Sequence, residues 1–116
     1  MTIHVIRSKT DSDRKKVYRF LYDIWSKEFL RSMDGMNHEY RYFKDELDQT
    51  AQHFIAVDRA GEVLGCVRGN ILTDTSLPGN LQRHLRVARL FEVFHGNQIC
   101  YGSHFAVAPS ARGIVP

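Results

Sequence analysis

Asp45 and Asp48 lie three residues apart in a polar stretch, so a helical turn there would set both carboxylates on one face. The same pair could equally cap a turn at the surface. Arg68 stands in a run, Val63 to Leu72, that is otherwise mostly apolar or small, and a cation there needs a partner. Asp45, Asp48 or a bound anion would serve, which makes Arg68 a candidate site residue. A later apolar run carries Tyr101, Gly102 and His104. An imidazole, with an ordinary pKa of about 6.5, can take a proton at neutral pH; a phenol, at about 10, is better suited to giving one up. A lone strand histidine is nevertheless more often structural. Glu28 is a further candidate base, although an exposed helical glutamate is the ordinary reading. Tyr18, Tyr22, Trp25 and Phe29 form an aromatic stripe that could wall an apolar pocket with Phe91 and Phe105, or simply be core. The six histidines are scattered without a His-x-x-x-His pair, so no metal site is predicted. No nucleophile elbow or Ser-His-Asp pattern is present.

The elements that must position these residues follow from periodicity. Residues 2–7 read as a short strand, and the cap formers after them predict a helix capped near Asp11 or Ser12. Val17, Phe20, Leu21 and Ile24 give that helix, running to about Arg31, one apolar face. The aromatic stripe gives it a second, so it should be covered on two sides. Residues 32–52 are polar, with a turn at Met33-Asp34-Gly35 and mixed helix or loop beyond. A strand over 53–58, a turn over 59–62 and a returning strand from Val63 to Leu72 make a hairpin. After Pro78-Gly79-Asn80, Leu81, Leu85, Ala88, Leu90, Phe91 and Phe94 predict a second amphipathic helix, ended by Gly96-Asn97. Residues 98–107 read as a further strand, in which Gly102 marks a bulge or a close backbone approach. The order is that of an α+β (mixed α/β) fold, one domain over residues 1–116.

Composition narrows the class. A chain of 116 residues with 43% hydrophobic and 25% charged residues can bury a core of its own. No apolar run reaches the roughly 18–20 residues of a membrane span, and the N-terminus lacks a signal-peptide pattern. Cys66 and Cys100 both lie in apolar runs and read as buried free thiols, which implies a cytoplasmic location. The net charge of +3 is clustered at Arg14, Lys15, Lys16 and Arg19 and again at Arg83, Arg86 and Arg89, the latter on one helix face. These are solvated surface or a docking face for an acidic partner. No nucleic-acid-binding motif accompanies them.

The run Phe105-Ala106-Val107-Ala108-Pro109-Ser110-Ala111-Arg112-Gly113 resembles the central strand and acyl-donor loop of the GCN5-related (GNAT-fold) acyltransferases. The resemblance extends along most of the chain. Asp45-Glu46-Leu47-Asp48, Phe54-Ile55-Ala56-Val57, Gly61 through Gly65 to Arg68, Thr73, Phe91 and Ser103-His104-Phe105-Ala106-Val107 stand in the order of the acyl-homoserine-lactone (autoinducer) synthases and N-acyl amino acid synthases. Departures are specific: Tyr101 stands where that branch has Glu, His104 where it has Arg, and Val115 where the pyrophosphate loop has its first glycine. The loss of that glycine favours acyl carrier protein as donor, or a chain that does not bind a donor unaided. The sequence ends at Pro116, where the resemblance calls for a helix, so the chain is expected to be a GNAT-like domain truncated after its acyl-donor loop.

The resemblance implies an N-acyltransferase. A fatty acyl thioester on the phosphopantetheine of acyl carrier protein or on coenzyme A would be attacked by the amine of a small acceptor such as an amino acid. That chemistry needs a polarised carbonyl, a deprotonated amine and close approach. Asp45, Asp48 and Arg68 become acceptor-binding residues. Phe105, Ala106, Val107, Arg112 and Gly113 become acyl-donor contacts, with backbone N–H groups freed by the strand bulge meeting the thioester. His104, Tyr101 and Glu28 are the catalytic candidates, and Trp25, Phe29 and Phe91 the acyl pocket. No permanent cofactor is implied. The alternative is a non-catalytic, GNAT-like binding module, truncated or a remnant, and an uncovered sheet edge would encourage homo-oligomers.

Overall fold

A computed structural model of the chain describes residues 2–29, 35–72, 86–94 and 99–113. Strand β1 (His4–Arg7) is followed by helix α1 (Asp11–Phe29), a small hairpin of β2 (Met36–Asn37) and β3 (Tyr42–Phe43), and a 3₁₀ turn (Glu46–Gln49). Strands β4 (Gln52–Val57) and β5 (Val63–Ile71), helix α2 (Val87–Val93), strand β6 (Cys100–Val107) and a 3₁₀ turn (Pro109–Ala111) complete it. The main sheet is antiparallel throughout, in the order β1-β4-β5-β6. The class is α+β.

α1 starts one residue later than its cap, which is Thr10 rather than Asp11 or Ser12. Thr10 Oγ1 accepts from the Asp13 N–H at 3.1 Å, and the Asp13 carboxylate accepts from the N–H groups of Lys9 and Thr10. This is a capping box shifted toward the N-terminus from the predicted cap. Val17 and Leu21 are fully buried, one turn apart, against Ile55, Cys66 and Ala106 of the sheet. Each such side chain contributes about 1.5–3 kcal/mol. The aromatic side of α1 meets the β2–β3 hairpin: Tyr18 packs edge-on to Tyr42 at 5.9 Å, and Trp25 edge-on to Phe43 at 4.7 Å. The helix is thus covered on two sides. The hairpin closes through Gly35, whose φ of +94° and 2.8 Å approach of a would-be Cβ to the Lys44 carbonyl oxygen leave no room for a side chain.

The β4–β5 turn is held by Asp58, whose carboxylate accepts from the N–H groups of Ala60 and Glu62, with Gly61 at φ +82°. In β5 and β6 the pairing slips. Cys66 stands opposite Ala106 but Arg68 opposite Ser103, so three steps on β6 span two on β5. The bulge falls at His104, which has a left-handed φ of +49°, and not at Gly102, which pairs regularly with Gly69. Ser103 and His104 consequently both face α1, while Phe105 faces away from it.

Several other expectations shift. Cys100 is exposed and only Cys66 is buried; both are free, and burial pushes the Cys66 thiol up to about 12. Arg86 precedes α2 instead of lying on its face, with φ +53°. Thr73, the turn at 33–34, residues 78–85, Gly96, Asn97, Val115 and Pro116 lie outside the described residues, as does the Phe29 side chain. Among the described residues, no helix is long and apolar enough to cross a membrane.

Candidate functional site

The 3₁₀ turn after β3 is built by the two aspartates. The Asp45 carboxylate accepts from the Leu47 N–H at 2.9 Å, and Asp48 Oδ2 accepts from the Asp45 N–H at 2.8 Å. Leu47 anchors the turn in a small cluster with Leu72, against which Phe91, Ile99 and Tyr101 pack. Asn70 fixes it from the sheet, its Nδ2 donating to the Leu47 carbonyl at 2.9 Å. Arg68 and Asn70 are two apart on β5 and therefore share the face under α1.

Arg68 is 2% exposed and each nitrogen of its guanidinium has a partner. It forks onto Asp45, with contacts of 2.6 and 3.3 Å, reaches Asp48 Oδ1 at 3.3 Å, and donates through Nε to Ser103 Oγ at 3.0 Å. The cation in the apolar strand has found both candidate carboxylates. His53, paired opposite Arg68 in the ladder, adds a bond from Nε2 to Asp48 Oδ1 at 2.9 Å. Burial alone would raise the Asp48 carboxyl. The His53 bond, the Asp45 N–H and the Arg68 charge outweigh it and hold the group below its ordinary value.

His104 lies against the same cluster. Its ring is wedged edge-on between Trp25 at 5.4 Å and Phe43 at 5.1 Å, with Nε2 3.5 Å from Asp45 Oδ2 and no hydrogen-bond partner at Nδ1. Burial, helped by the Arg68 charge and against the pull of Asp48 and Asp45, lowers its pKa to about 4. The ring is neutral at pH 7.

Two concavities flank this arrangement. A polar cavity of about 480 Å³ opens beside the aspartates, lined by Arg14, Tyr18, Lys44, Asp45, Asp48 and Thr50. On the opposite face of the sheet, Val5, Phe54, Gly65, Val67, Phe105 and Val107 line an apolar groove of about 380 Å³.

No family model, curated protein or solved structure matches this chain.

Of the residues singled out in the sequence, the fold brings together Asp45, Asp48, Arg68 and His104. The others go elsewhere. Glu28 pairs with Arg112, whose Nε also donates to the Val107 carbonyl at 3.0 Å, so this pair stitches the loop after β6 to the end of α1. Tyr101 and Phe91 join the Leu47–Leu72 cluster, whereas Trp25 packs against the α1 core. Trp25 and Phe91 therefore do not assemble one acyl pocket: Tyr18 and Trp25 of the stripe are taken up by the β2–β3 hairpin. Phe105 and Val107 line the apolar groove, Ala106 is buried under α1, and Gly113 follows with φ +83°. Among the described residues, no three His, Cys, Asp or Glu side chains gather as metal ligands.

His53 and Asn70 are the site residues that the sequence reading passed over. Both carried a signal. His53 has the parity of Ile55 in β4, and Asn70 that of Arg68 in β5, so each is a polar residue on an inward face.

Proposed function

We propose that this chain is a cytoplasmic, GNAT-like N-acyltransferase of the autoinducer-synthase and N-acyl amino acid synthase type. It moves a fatty acyl group from a coenzyme A or acyl-carrier-protein thioester to the amine of a small acceptor such as an amino acid. One observation carries the reading. The bulge at His104 brings Ser103 and His104 onto the Asp45–Asp48–Arg68 cluster and turns Phe105 toward an apolar groove, so the two sides of a single strand suit the two reactants.

In this mechanism the acyl chain lies along Phe54, Val67 and Phe105, and the acceptor cation enters beside Asp45. The Asp45–Asp48–Arg68 trio carries one net negative charge beside the cations Arg14 and Lys44 of the same cavity, so the acceptor ammonium meets the 40% exposed Asp45 carboxylate directly. The amine nitrogen attacks the thioester carbonyl carbon, and its proton passes to His104 Nε2, the ring nitrogen that lies 3.5 Å from Asp45. Backbone N–H groups around Phe105 to Val107 meet the developing oxyanion. The C–S bond then breaks, and the departing thiolate takes the proton to leave as a thiol. With a pKa of about 4, His104 is always free to accept a proton at pH 7 but is a weak base. Its contribution belongs at the lower end of the general-base range, about 10²-fold.

The test follows thiol release from long-chain acyl thioesters, on both carriers, with a panel of amino acids. Amine-dependent release that falls by about 10²-fold in His104→Gln is the expected result. Release that ignores the amine, or no release with either carrier, ends the transferase reading. The rival is a non-catalytic binding module. It is favoured by the commitment of both carboxylates to Arg68, His53 and backbone N–H groups. It predicts calorimetrically detectable acyl-thioester or amine binding without turnover.

A further inference from the structure

We infer that His53 is a positioning residue: by donating from Nε2 to Asp48 Oδ1, it keeps Arg68 leaning on Asp45 and so sets the charge that Asp45 presents to the polar cavity. The inference rests on the transferase reading for what the cavity holds, but on geometry alone for what His53 does.

The geometry is asymmetric. The same Arg68 nitrogen stands 2.6 Å from Asp45 Oδ1 but 3.3 Å from Asp48 Oδ1. Asp48 does not compete harder because its other donors already satisfy it. Oδ2 accepts from the Asp45 N–H, and Oδ1 accepts from His53 at 2.9 Å. An ionised carboxylate can only accept, so the proton of this bond is on His53 Nε2. Take that donor away, and a carboxylate only 4% exposed is left with one long contact on Oδ1. The nearest replacement is Arg68 itself. The guanidinium would then move toward Asp48 and away from Asp45, which is 40% exposed and faces the cavity.

His53 is poorly explained as packing. It is fully buried, its Nδ1 has no hydrogen-bond partner, and its Nε2 bond to Asp48 is its one polar side-chain contact. A methionine or leucine would fill the space without an unpaired nitrogen. The groups facing it are Tyr18 from α1, edge-on at 5.9 Å, Asp48 from the turn, and Arg68 from β5. Of these, only Asp48 is in position to use its proton.

Two substitutions separate positioning from bulk. His53→Met keeps the volume and loses the donor; His53→Gln keeps an N–H donor of similar reach. Three quantities are read by NMR in folded protein, with the Val17 and Leu21 methyl signals as the check of the core. These are the Asp48 carboxyl titration, exchange of the Arg68 Nε–H that is bonded to Ser103, and the affinity for ethylammonium, a probe carrying only the acceptor's cation. In His53→Met, Asp48 should titrate at higher pH, Arg68 exchange should quicken by about tenfold, and ethylammonium affinity should change by about fivefold or more, as expected for one buried charge-assisted bond. His53→Gln should restore most of each. A folded His53→Met with Asp48 and Arg68 unchanged within about twofold, or a folded His53→Gln that restores nothing, overturns the inference. Failure of the wild-type protein to bind ethylammonium strikes the acceptor reading and the cavity half of the inference. The Asp48 and Arg68 signals decide the other half independently.

Discussion

Replacing Arg68 by methionine tests the charged cluster most directly. The stem's packing survives, but Asp48, 4% exposed, loses its cation, while Asp45, 40% exposed, can recover water. Breaking a buried pair from one side costs about 3–5 kcal/mol. Because Asp48 keeps the His53 bond and the Asp45 N–H, and Asp45 resolvates, the lower end applies, about 3 kcal/mol. With a urea slope of about 1.5 kcal/mol/M, the unfolding midpoint at pH 7.5 should fall by about 2 M. The deficit should shrink as pH falls, because the stranded Asp48 can then take a proton and become neutral. Adding Asp45→Asn and Asp48→Asn should recover much of the loss at pH 7.5, since removing every charge leaves none stranded. Arg68→Lys should fall between, keeping the charge but losing the fork and the Ser103 bond. A midpoint shift below about 0.3 M at pH 7.5, or a deficit that grows on acidification, would refute the argument.

Two further predictions concern His104. It titrates at about 4 in the folded chain and near 6.5 when unfolded, so between these values the unfolded chain binds more protons. Its contribution is whole above pH 6.5 and is lost as pH falls toward 4, about 3 kcal/mol in all, while Asp48, held low, adds a loss of the same sign below its unfolded value of 3.8. Urea midpoints measured from pH 7.5 to 4 should show this slope, and His104→Gln should flatten it between 6.5 and 4. At φ +49°, a residue with a Cβ is strained by about 1–2 kcal/mol, so His104→Gly should be more stable than His104→Ala by about 1 kcal/mol, the reverse of the usual order in a strand. Equal midpoints, or a more stable alanine variant, would move the bulge elsewhere.

Much of the fold was legible because local chemistry and hydrophobic period agreed. The Val17–Leu21 face and the aromatic stripe both demanded cover, and the sheet and the β2–β3 hairpin supply it. The run from Arg59 to Glu62, with Gly61, announced the β4–β5 turn, although Asp58, read as the end of the strand, belongs to the turn and holds it. The meeting of Arg68 with Asp45 and Asp48 was legible for an energetic reason, since a cation in an apolar strand must bring its counter-ion with it. The capping role of the same aspartates was legible too, and the structure shows it to be compatible with the ion pair. Each carboxylate has two oxygens, and the turn's N–H groups and Arg68 share them.

The bulge was not legible, because it is a property of a strand pair and not of a strand. Gly102 drew attention as the only backbone-permissive residue in β6, yet the extra residue is His104, a type that tolerates positive φ better than most. Strict alternation from Tyr101 would have put Phe105 inward and Ala106 outward. The structure does the reverse, leaving Phe105 70% exposed and Ala106 6% exposed. The space under α1 decides this. Trp25 and Phe43 already fill it, and the His104 ring closes the gap between them, so the next inward position on β6 can hold only a small side chain. Turning Phe105 outward gives up about 1.5–3 kcal/mol of burial, on top of the backbone strain at His104. In return the imidazole reaches Asp45 and Ser103 reaches Arg68 from adjacent positions, which an unbulged strand would hold on opposite faces.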